Sequence, residues 1–261
     1  MRERLRALGG PGSVDLDLQG PDAVLTLNQP RRRNALSGPM LAQLADAVDV
    51  LADWHGATLL IQGRGGFFCA GADLNMLAAH VHDADDGERL GDFVRQTLTR
   101  LRRLPVVSVA AVEGGALGGG AELMTACDHR VLAADATARF VQVSLGVCTG
   151  WGGGPRLVRL LGRGPALTLL GAAPHVPAQR ALHLGLADRL APPGHAAQVA
   201  GDLLAPYRAH PAAAVKAMKA IVASADDATL DAALAVEAAC FKSLWGGPAN
   251  QAALASRRKK P

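Results

Sequence analysis

The sequence lacks the features that mark several large classes of protein. No apolar run approaches the roughly 18 residues needed to cross a bilayer, and the first 13 residues, MRERLRALGGPGS, lack the apolar centre of a signal peptide. The four cysteines lie far apart without a C-x-x-C pair, which favours reduced thiols and a cytoplasmic protein. Aromatic residues make up only 3% of the chain, so we expect a globular core of alanine, leucine and valine.

The charge of the chain is also small, at a formal +4 for 261 residues. A balance of this size does not indicate nucleic-acid binding, although it allows an anionic small-molecule ligand. Nucleotide-binding glycine motifs are incomplete as well. Gly63-x-Gly65 and Gly162-x-Gly164 both lack the third glycine of the dinucleotide fingerprint, and no G-x-x-x-x-G-K-[ST] motif occurs.

Predicted strands and helices alternate over the first part of the chain. Residues 13–30 indicate a hairpin, and Ser37 is a plausible N-cap of a helix that follows it. The buried-strand patterns ATLLIQG, PVVSVAAVEG and HRVLAA come next. Before the second of them, the polar segment HVHDADDGERL is followed by a predicted helix over Phe93 to Leu104. This alternation is typical of parallel βαβ units. Strand signals fade beyond about Gly154, so we predict an α/β core over residues 1–190 and a helical C-terminal region over residues 191–261.

Two glycine-rich stretches each lead from a predicted strand into a predicted helix. They are GRGGFFCAGADLNML, residues 63–77, and GGALGGGAELMTACD, residues 114–128. Small residues at such turns let a backbone N–H approach a ligand, and a helix N-terminus adds positive potential. Two such groups aimed at one point would form an oxyanion hole. Close packing of helix on strand is the alternative reason for the glycines.

The two stretches, together with NQPRRRNALS, GWGGGPRLVRLLG and ALHLGLADRL, resemble the crotonase (enoyl-CoA hydratase/isomerase) superfamily in order and spacing. The resemblance implies a spiral of ββα units with a helical C-terminal trimerisation region, assembled as a homotrimer or a dimer of trimers. It also implies an acyl-CoA thioester as the partner, with no metal, no further cofactor, no nucleic acid and no membrane involved.

The resemblance also assigns roles to particular residues. The backbone N–H groups of Ala72 and Gly119 would hold the thioester oxygen, and Glu122 would face the reacting acyl carbons. Local satisfaction of backbone donors is the alternative role of Glu122, and a solvated basic turn is the alternative for residues 31–33. The substrate-binding residues implied along the nucleotide, the pantetheine and the acyl group are Arg31, Arg33, Ala35, Ala70, Asp73, Leu74, Leu117, Gly118, Ser144 and Trp151.

The expected reaction depends on one position in the segment FVQVSLGV. Hydratases of this superfamily use a second glutamate four residues after a phenylalanine, and here that position, counted from Phe140, is Ser144. A neutral hydroxyl cannot replace a carboxylate as base without a base partner of its own. A standard hydratase is therefore disfavoured.

The segments around Trp151 and WGGPAN near the C-terminus resemble the ethylmalonyl-CoA decarboxylase branch, from which Ser144 departs because that branch has a glutamate there. The branch implies loss of CO₂ from a 2-alkylmalonyl-CoA such as ethylmalonyl- or methylmalonyl-CoA. A desolvated, protonated Glu122 would then return a proton to the α-carbon, and Trp151 would wall the pocket or pack in the core. The alternatives are a single-glutamate isomerase or hydratase-like enzyme and a catalytically weak acyl-CoA-binding protein.

Overall fold

The computed structural model describes residues 1–227, 230–244 and 250. The segment WGGPAN, apart from Asn250, and the end of the predicted helical region therefore lie outside the described residues. The strands are β1 (Ser13–Asp17), β2 (Ala23–Asn28), β3 (Thr58–Gly63), β4 (Val107–Val112), β5 (Gly115–Leu117), β6 (His129–Ala133), β7 (Thr137–Arg139), β8 (Val176–Pro177) and β9 (Arg189–Ala191). The helices are α1 (Arg2–Ala7), α2 (Gly38–Ala52), α3 (Leu74–His80), α4 (Ala84–Arg103), α5 (Gly119–Met124), α6 (Gly153–Leu161), α7 (Arg163–Gly171), α8 (Ala178–Leu184), α9 (Ala196–Arg208), α10 (Ala212–Asp227) and α11 (Leu230–Leu244).

The main sheet has the strand order β1-β2-β3-β4-β6-β9. The predicted hairpin forms its edge, with β1 antiparallel to β2, and each later neighbour pairs in parallel. All six residues of β4 are buried, because parallel strands inside a sheet are covered on both faces. A smaller sheet, β5-β7-β8, stands beside it and carries the second glycine stretch.

Both faces of the main sheet pack against helices. Leu59 and Ile61 of β3 join the core cluster that contains buried residues of α2 and α4. Leu60 points the other way and joins the cluster with Leu203 and Leu204 of α9, as the alternation of side chains along a strand requires. The first helix of the region from residue 191 onward thus packs against the sheet itself.

Two local predictions differ from the structure. The polar segment before residue 93 is helical from Ala84, since Asp83 caps α4 by accepting from the Asp86 N–H at 2.8 Å. Leu90, one turn before the predicted start, is buried on the inner face of that helix. The region after Gly154 also contains strands, because β9 pairs with β6 and extends the main sheet. The N-cap predicted at Ser37 is confirmed.

Candidate active site

The two glycine-rich turns lie side by side. The Cys69 N–H donates to Gly115 O at 3.3 Å, and the Leu117 N–H donates to Cys69 O at 2.9 Å. A Cβ placed on Gly71, which has a φ of +94°, would lie 2.9 Å from the nitrogen of Gly119. Glycine is therefore required at position 71 by both its conformation and its contact, and the chain just before Ala72 touches the N-terminus of α5.

The N–H groups of Ala72 and Gly119 have no acceptor among the described residues. Leu36 bonds to the residues on either side of Ala72, accepting from Asp73 N at 2.9 Å and donating to Gly71 O at 2.7 Å. In a parallel bridge this pattern turns the N–H of Ala72 away from Leu36. Gly119 is the first residue of α5, where N–H groups have no partner within the helix. Both residues are partly accessible.

Glu122 occupies the first turn of α5, and the residue is 2% exposed. Its Oε2 accepts from the main-chain N–H groups of Trp151 at 2.9 Å and Gly153 at 2.8 Å. Its Oε1 accepts from the side-chain amide of Gln142 at 2.8 Å. A Cβ on Gly153 would lie 2.4 Å from the Glu122 Cγ, so the absence of a side chain there makes room for the carboxyl group.

Burial raises the pKa of Glu122, because removal from water disfavours its charged form. The N–H groups of Gly153 and Trp151 and the amide of Gln142 act in the opposite direction, as does the positive charge of Arg156, and the pKa remains raised. The two main-chain donors mean that the alternative role considered for Glu122, satisfying backbone N–H groups, is part of what this residue does. They also fix the carboxyl group in one orientation.

Arg156 holds the main chain around Glu122. Its Nη2 donates to the carbonyl oxygens of Glu122 at 3.0 Å and Trp151 at 2.9 Å, and its Nε donates to Thr125 Oγ1 at 3.1 Å. Burial lowers the pKa of Arg156 to about 10, which leaves the guanidinium charged at neutral pH. The residue ties α5 to the segment that enters α6.

The Trp151 side chain lies against the start of α5. A Cβ on Gly119 would be 2.2 Å from an atom of the indole ring, and Trp151 is 8% exposed. The ring therefore packs on the backbone of Gly119, while the main-chain N–H of Trp151 donates to the Glu122 carboxyl group. This position is compatible with both roles considered for Trp151, packing in the core and forming a wall of the candidate site.

Ser144 does not contact Glu122. It is exposed on a short 3₁₀ helix, Gln142–Leu145, and its N–H donates to Val141 O at 3.0 Å. The residue of this segment that reaches Glu122 is Gln142, which sequence reasoning missed. Its spacing of two residues from the buried Phe140 was visible in the sequence, but the contact depends on how the segment folds back on α5.

The implied nucleotide-side residues come together at the edge formed by residues 30–36 and the first glycine turn. The Ala70 N–H donates to Arg33 O at 2.9 Å, and the Arg33 guanidinium lies 5.5 Å from the centre of the Phe67 ring. Asp73 caps α3 by accepting from Asn75 N at 2.9 Å, and it pairs with Arg32 at 2.8 Å. Arg32 is thus the arginine of this turn that pairs with Asp73.

The remaining predicted residues occupy different positions around the two turns. Arg31 and Leu74 are exposed, whereas Ala35 is buried behind the turn. Leu117 ends β5, and Gly118 has a φ of +51° that turns the chain into α5. The geometry places these residues near the two turns.

A cavity of about 720 Å³ lies at the opposite end of α5, where it is lined by Thr125, Asp128, Tyr207 and Lys219, among others. None of the predicted site residues lines it. The helix presents its carbonyl end there, whereas the N–H groups that suit an oxyanion project from the other end. We therefore place the candidate site at the glycine turns.

Within the described part of the chain no helix is both long and apolar enough to span a membrane. The same residues contain no cluster of three or more histidine, cysteine, aspartate or glutamate side chains suited to hold a metal ion.

The family model described as enoyl-CoA hydratase/isomerase matches residues 21–255. The chain belongs to the enoyl-CoA hydratase/isomerase family. The resemblance in its glycine stretches is thereby confirmed.

Relatives of this enoyl-CoA hydratase/isomerase family member include proteins named ethylmalonyl-CoA decarboxylase. The protein of Danio rerio is 43% identical over 267 residues, covering 99% of this chain and 88% of the relative. The protein of Homo sapiens is 37% identical, covering 95% of this chain and 82% of the relative. The branch indicated by the segment around Trp151 is therefore the one in which these relatives fall.

Solved structures of the family confirm the predicted crotonase-like α/β fold. The enoyl-CoA hydratase of Bacillus anthracis superposes with a TM-score of 0.88 at 26% identity, covering 95% of this chain and 96% of that one. The enoyl-CoA hydratase of Thermoplasma volcanium gives 0.84 at 30% identity, covering 94% and 97%.

Proposed function

We propose that this protein is an acyl-CoA carboxy-lyase that removes CO₂ from a 2-alkylmalonyl-CoA such as ethylmalonyl- or methylmalonyl-CoA. The observation that carries the proposal is the surroundings of Glu122. Its buried carboxyl group is fixed beside Gly119 by two main-chain N–H groups and the Gln142 amide. The exposed Ser144, at the position of the second glutamate of hydratases, argues against a standard hydratase but does not by itself favour the lyase. The relatives named ethylmalonyl-CoA decarboxylase support the same reaction.

The turns at Ala72 and Gly119 form the proposed oxyanion hole. Loss of CO₂ leaves the electron pair of the broken C–C bond on the α-carbon, and the resulting enolate places negative charge on the thioester oxygen. Two N–H groups that have no acceptor among the described residues would bind that charge as it develops, which is stronger binding of the transition state than of the substrate. One such donor contributes about 2.7–4 kcal/mol to lowering a barrier.

Glu122 then supplies a proton to the α-carbon and regains one from water. Its raised pKa favours the protonated form that this step needs. Overall, one proton and the malonyl thioester carboxylate give CO₂ and the saturated acyl-CoA. Coenzyme A enters as part of the substrate, and the proposed reaction requires no further cofactor. The chemistry is complete with the thioester and one carboxyl group.

The nucleotide end of the substrate lies, in this proposal, along the edge that carries Arg31 and Arg33. Arg32 is paired with Asp73, and this pair supports α3 rather than the substrate. The CoA phosphates at that end are anionic, which suits the basic turn. The exposed Leu74 and the Trp151 ring would then flank the acyl and pantetheine portions.

We further propose a cytoplasmic homotrimer, or a dimer of such trimers. Large apolar side chains of α10 and α11 are exposed in the single chain, among them Met218, Val222 and Phe241, and contacts between copies would cover them. The four free cysteines fit a reducing compartment. Light scattering of the purified protein should give a mass of three or six chains, and a monomer would contradict this assembly.

The reaction is tested by incubating the protein separately with ethylmalonyl-, methylmalonyl- and crotonyl-CoA and following the masses of the thioesters. Loss of the mass of CO₂ from the first two supports the proposal. Gain of the mass of water by crotonyl-CoA would instead show the hydratase alternative. Measurable CoA-ester binding with every mass unchanged would show the acyl-CoA-binding alternative and overturn the lyase.

A further inference from the structure

Gln142 has one amide atom bonded to Glu122 and the other unpaired. Its Nε2 donates to Glu122 Oε1 at 2.8 Å. Its Oε1 is buried, and no hydrogen-bond partner for it exists among the described residues. A buried acceptor without a partner costs free energy, so this arrangement calls for a physical reason.

The other oxygen of Glu122 limits where a proton can sit. Oε2 accepts from two main-chain N–H groups, of Trp151 and Gly153, and main-chain donors cannot turn into acceptors. A proton on Oε2 would point at one of these donors. A proton on Glu122 therefore belongs on Oε1, where the facing group is the side-chain amide of Gln142.

A half-turn of that amide exchanges its donor for its acceptor. With Nε2 toward Glu122 the amide serves the carboxylate, and with Oε1 toward Glu122 it accepts from the carboxylic acid. Oε1 leaves no hydrogen bond behind when it turns, because it has none in the present orientation. The rotation therefore exchanges one bond to Glu122 for another.

We infer that Gln142 is a positioning residue that matches Glu122 in both of its protonation states by rotating its side-chain amide, so that Oε1 is the oxygen that exchanges a proton with the substrate α-carbon. The inference rests on the proton-transfer role proposed for Glu122. In the forward step the O–H bond of Oε1 breaks, a C–H bond forms at the α-carbon, and the electron pair of the enolate makes that bond. Water then returns a proton to Oε1.

No other group described around Glu122 can both donate to its carboxylate and accept from its carboxylic acid. Arg156 of α6 places a positive charge near Glu122, but its Nη2 donates to the main-chain carbonyls of Glu122 and Trp151. Arg159 of the same helix lines the cavity at the other end of α5. The Cys69 thiol in the neighbouring turn is buried, which raises its pKa to about 12 and keeps it neutral.

The test isolates proton transfer from decarboxylation. Butyryl-CoA is incubated with the protein in D₂O, and exchange of its α-hydrogens is followed by mass or NMR as a function of pH. Exchange needs the thioester, the oxyanion donors and the Glu122 carboxylate, but no CO₂ leaving group. Its rate should therefore rise as the pH passes the pKa of Glu122, and Glu122→Gln should abolish it.

Gln142→Met keeps the size of the side chain but removes both amide functions. We expect the exchange plateau to fall about tenfold to a hundredfold, the size expected of one hydrogen bond to a charged group, with the Kd for butyryl-CoA unchanged. The matched control is Gln62→Met, which removes a glutamine amide bonded to Thr26 on the main sheet. This control should exchange like the parent protein.

Gln142→Glu separates positioning from packing. Two facing carboxyl groups share a proton, so exchange should survive in this variant while its rise moves to higher pH. An exchange plateau within twofold of the parent in Gln142→Met, or an unmoved pH profile in Gln142→Glu, would overturn the inference. Exchange without any decarboxylation in the parent protein would overturn the proposed lyase while leaving the role of Gln142 intact.

Discussion

The Nη2 atom of Arg156 donates a hydrogen bond to the main-chain carbonyl oxygen of Glu122, at 3.0 Å. The same atom reaches the carbonyl of Trp151. A guanidinium thus fixes the backbone on both sides of the candidate site without pairing with the Glu122 carboxylate. The position of the acid and that of its main-chain donors are set by one side chain.

Arg156→Met should destabilise the protein by about 2–4 kcal/mol, because two buried carbonyls and the Thr125 hydroxyl lose a charged donor. Denaturant unfolding monitored by circular dichroism measures the change. Arg163→Met, at the exposed start of α7, is the control and should lie within about 0.5 kcal/mol of the parent. Equal stabilities for both variants would show that the Arg156 contacts contribute nothing.

Gly153→Ala should displace the Glu122 side chain, since a Cβ there would lie 2.4 Å from Glu122 Cγ and 2.9 Å from its Oε2. We expect a loss of stability of about 1–3 kcal/mol and a fall in turnover, with little change in affinity for CoA esters. Gly164→Ala, where a Cβ meets no atom within 4 Å, is the matched control. Steady-state kinetics of both variants measure the turnover. Unchanged turnover in Gly153→Ala would contradict the close contact between position 153 and the Glu122 side chain.

Glu122→Gln should lower turnover of ethylmalonyl-CoA by about a hundredfold to ten-thousandfold, the range for loss of a general acid or base. Affinity for the substrate should change little, because the carboxyl group binds no part of the CoA moiety in the proposed arrangement. Calorimetric binding and mass-detected turnover are the two measurements. Glu88→Gln, at an exposed position of α4, should behave as the parent. Retained turnover in Glu122→Gln would remove the proton-transfer role.

The raised pKa of Glu122 sets the sign of two pH effects. The native protein holds its proton to higher pH than the unfolded chain does, so stability falls as the pH rises from near the ordinary glutamate value of 4.5 through the raised native value. Glu122→Gln lacks this titration, and its melting temperature relative to the parent should rise across that window. Turnover that needs the protonated acid should fall as the pH passes the same native pKa. A constant difference in melting temperature across pH would contradict the shift.

Arg33→Met should raise the KM for ethylmalonyl-CoA without changing kcat, since Arg33 is proposed to meet the anionic nucleotide end. The effect should shrink as salt is added, because the contact is exposed to solvent. Arg32→Met provides the contrast, because it breaks the pair with Asp73 and should act on stability instead. A KM unchanged by Arg33→Met at low salt would contradict the placement.

The sequence allowed much of the fold to be predicted where the signal is local. Ser37 caps its helix through a neighbouring N–H, and the fully buried β4 is readable as an apolar run broken only by Ser108. The start of α4 was missed because its polar composition hid the buried spacing that begins at Leu90. The strand β9 has three residues, too few to carry an alternating pattern.

The sequence predicts that the two glycine turns and Glu122 lie close together, as they do in the structure, but it does not predict the groups that hold Glu122. Gln142 and Gly153 lie 20 and 31 positions away along the chain, and Arg156 acts through main-chain carbonyls. Contacts of this kind depend on the path of residues 141–153 across α5. No local pattern records that path.

Glu122 and the groups that orient it belong to different segments of the chain, and this has a consequence for inhibition. Helix α5 carries Glu122, and donors within residues 142–153 orient its carboxyl group. The Trp151 ring packs against the backbone of Gly119 between these two segments. A small apolar compound that binds between that ring and the helix would move the donors of Trp151, Gly153 and Gln142 away from the Glu122 carboxyl group at the same time. Such a compound would inhibit the enzyme without resembling its substrate and without binding at the edge proposed for the nucleotide end of coenzyme A.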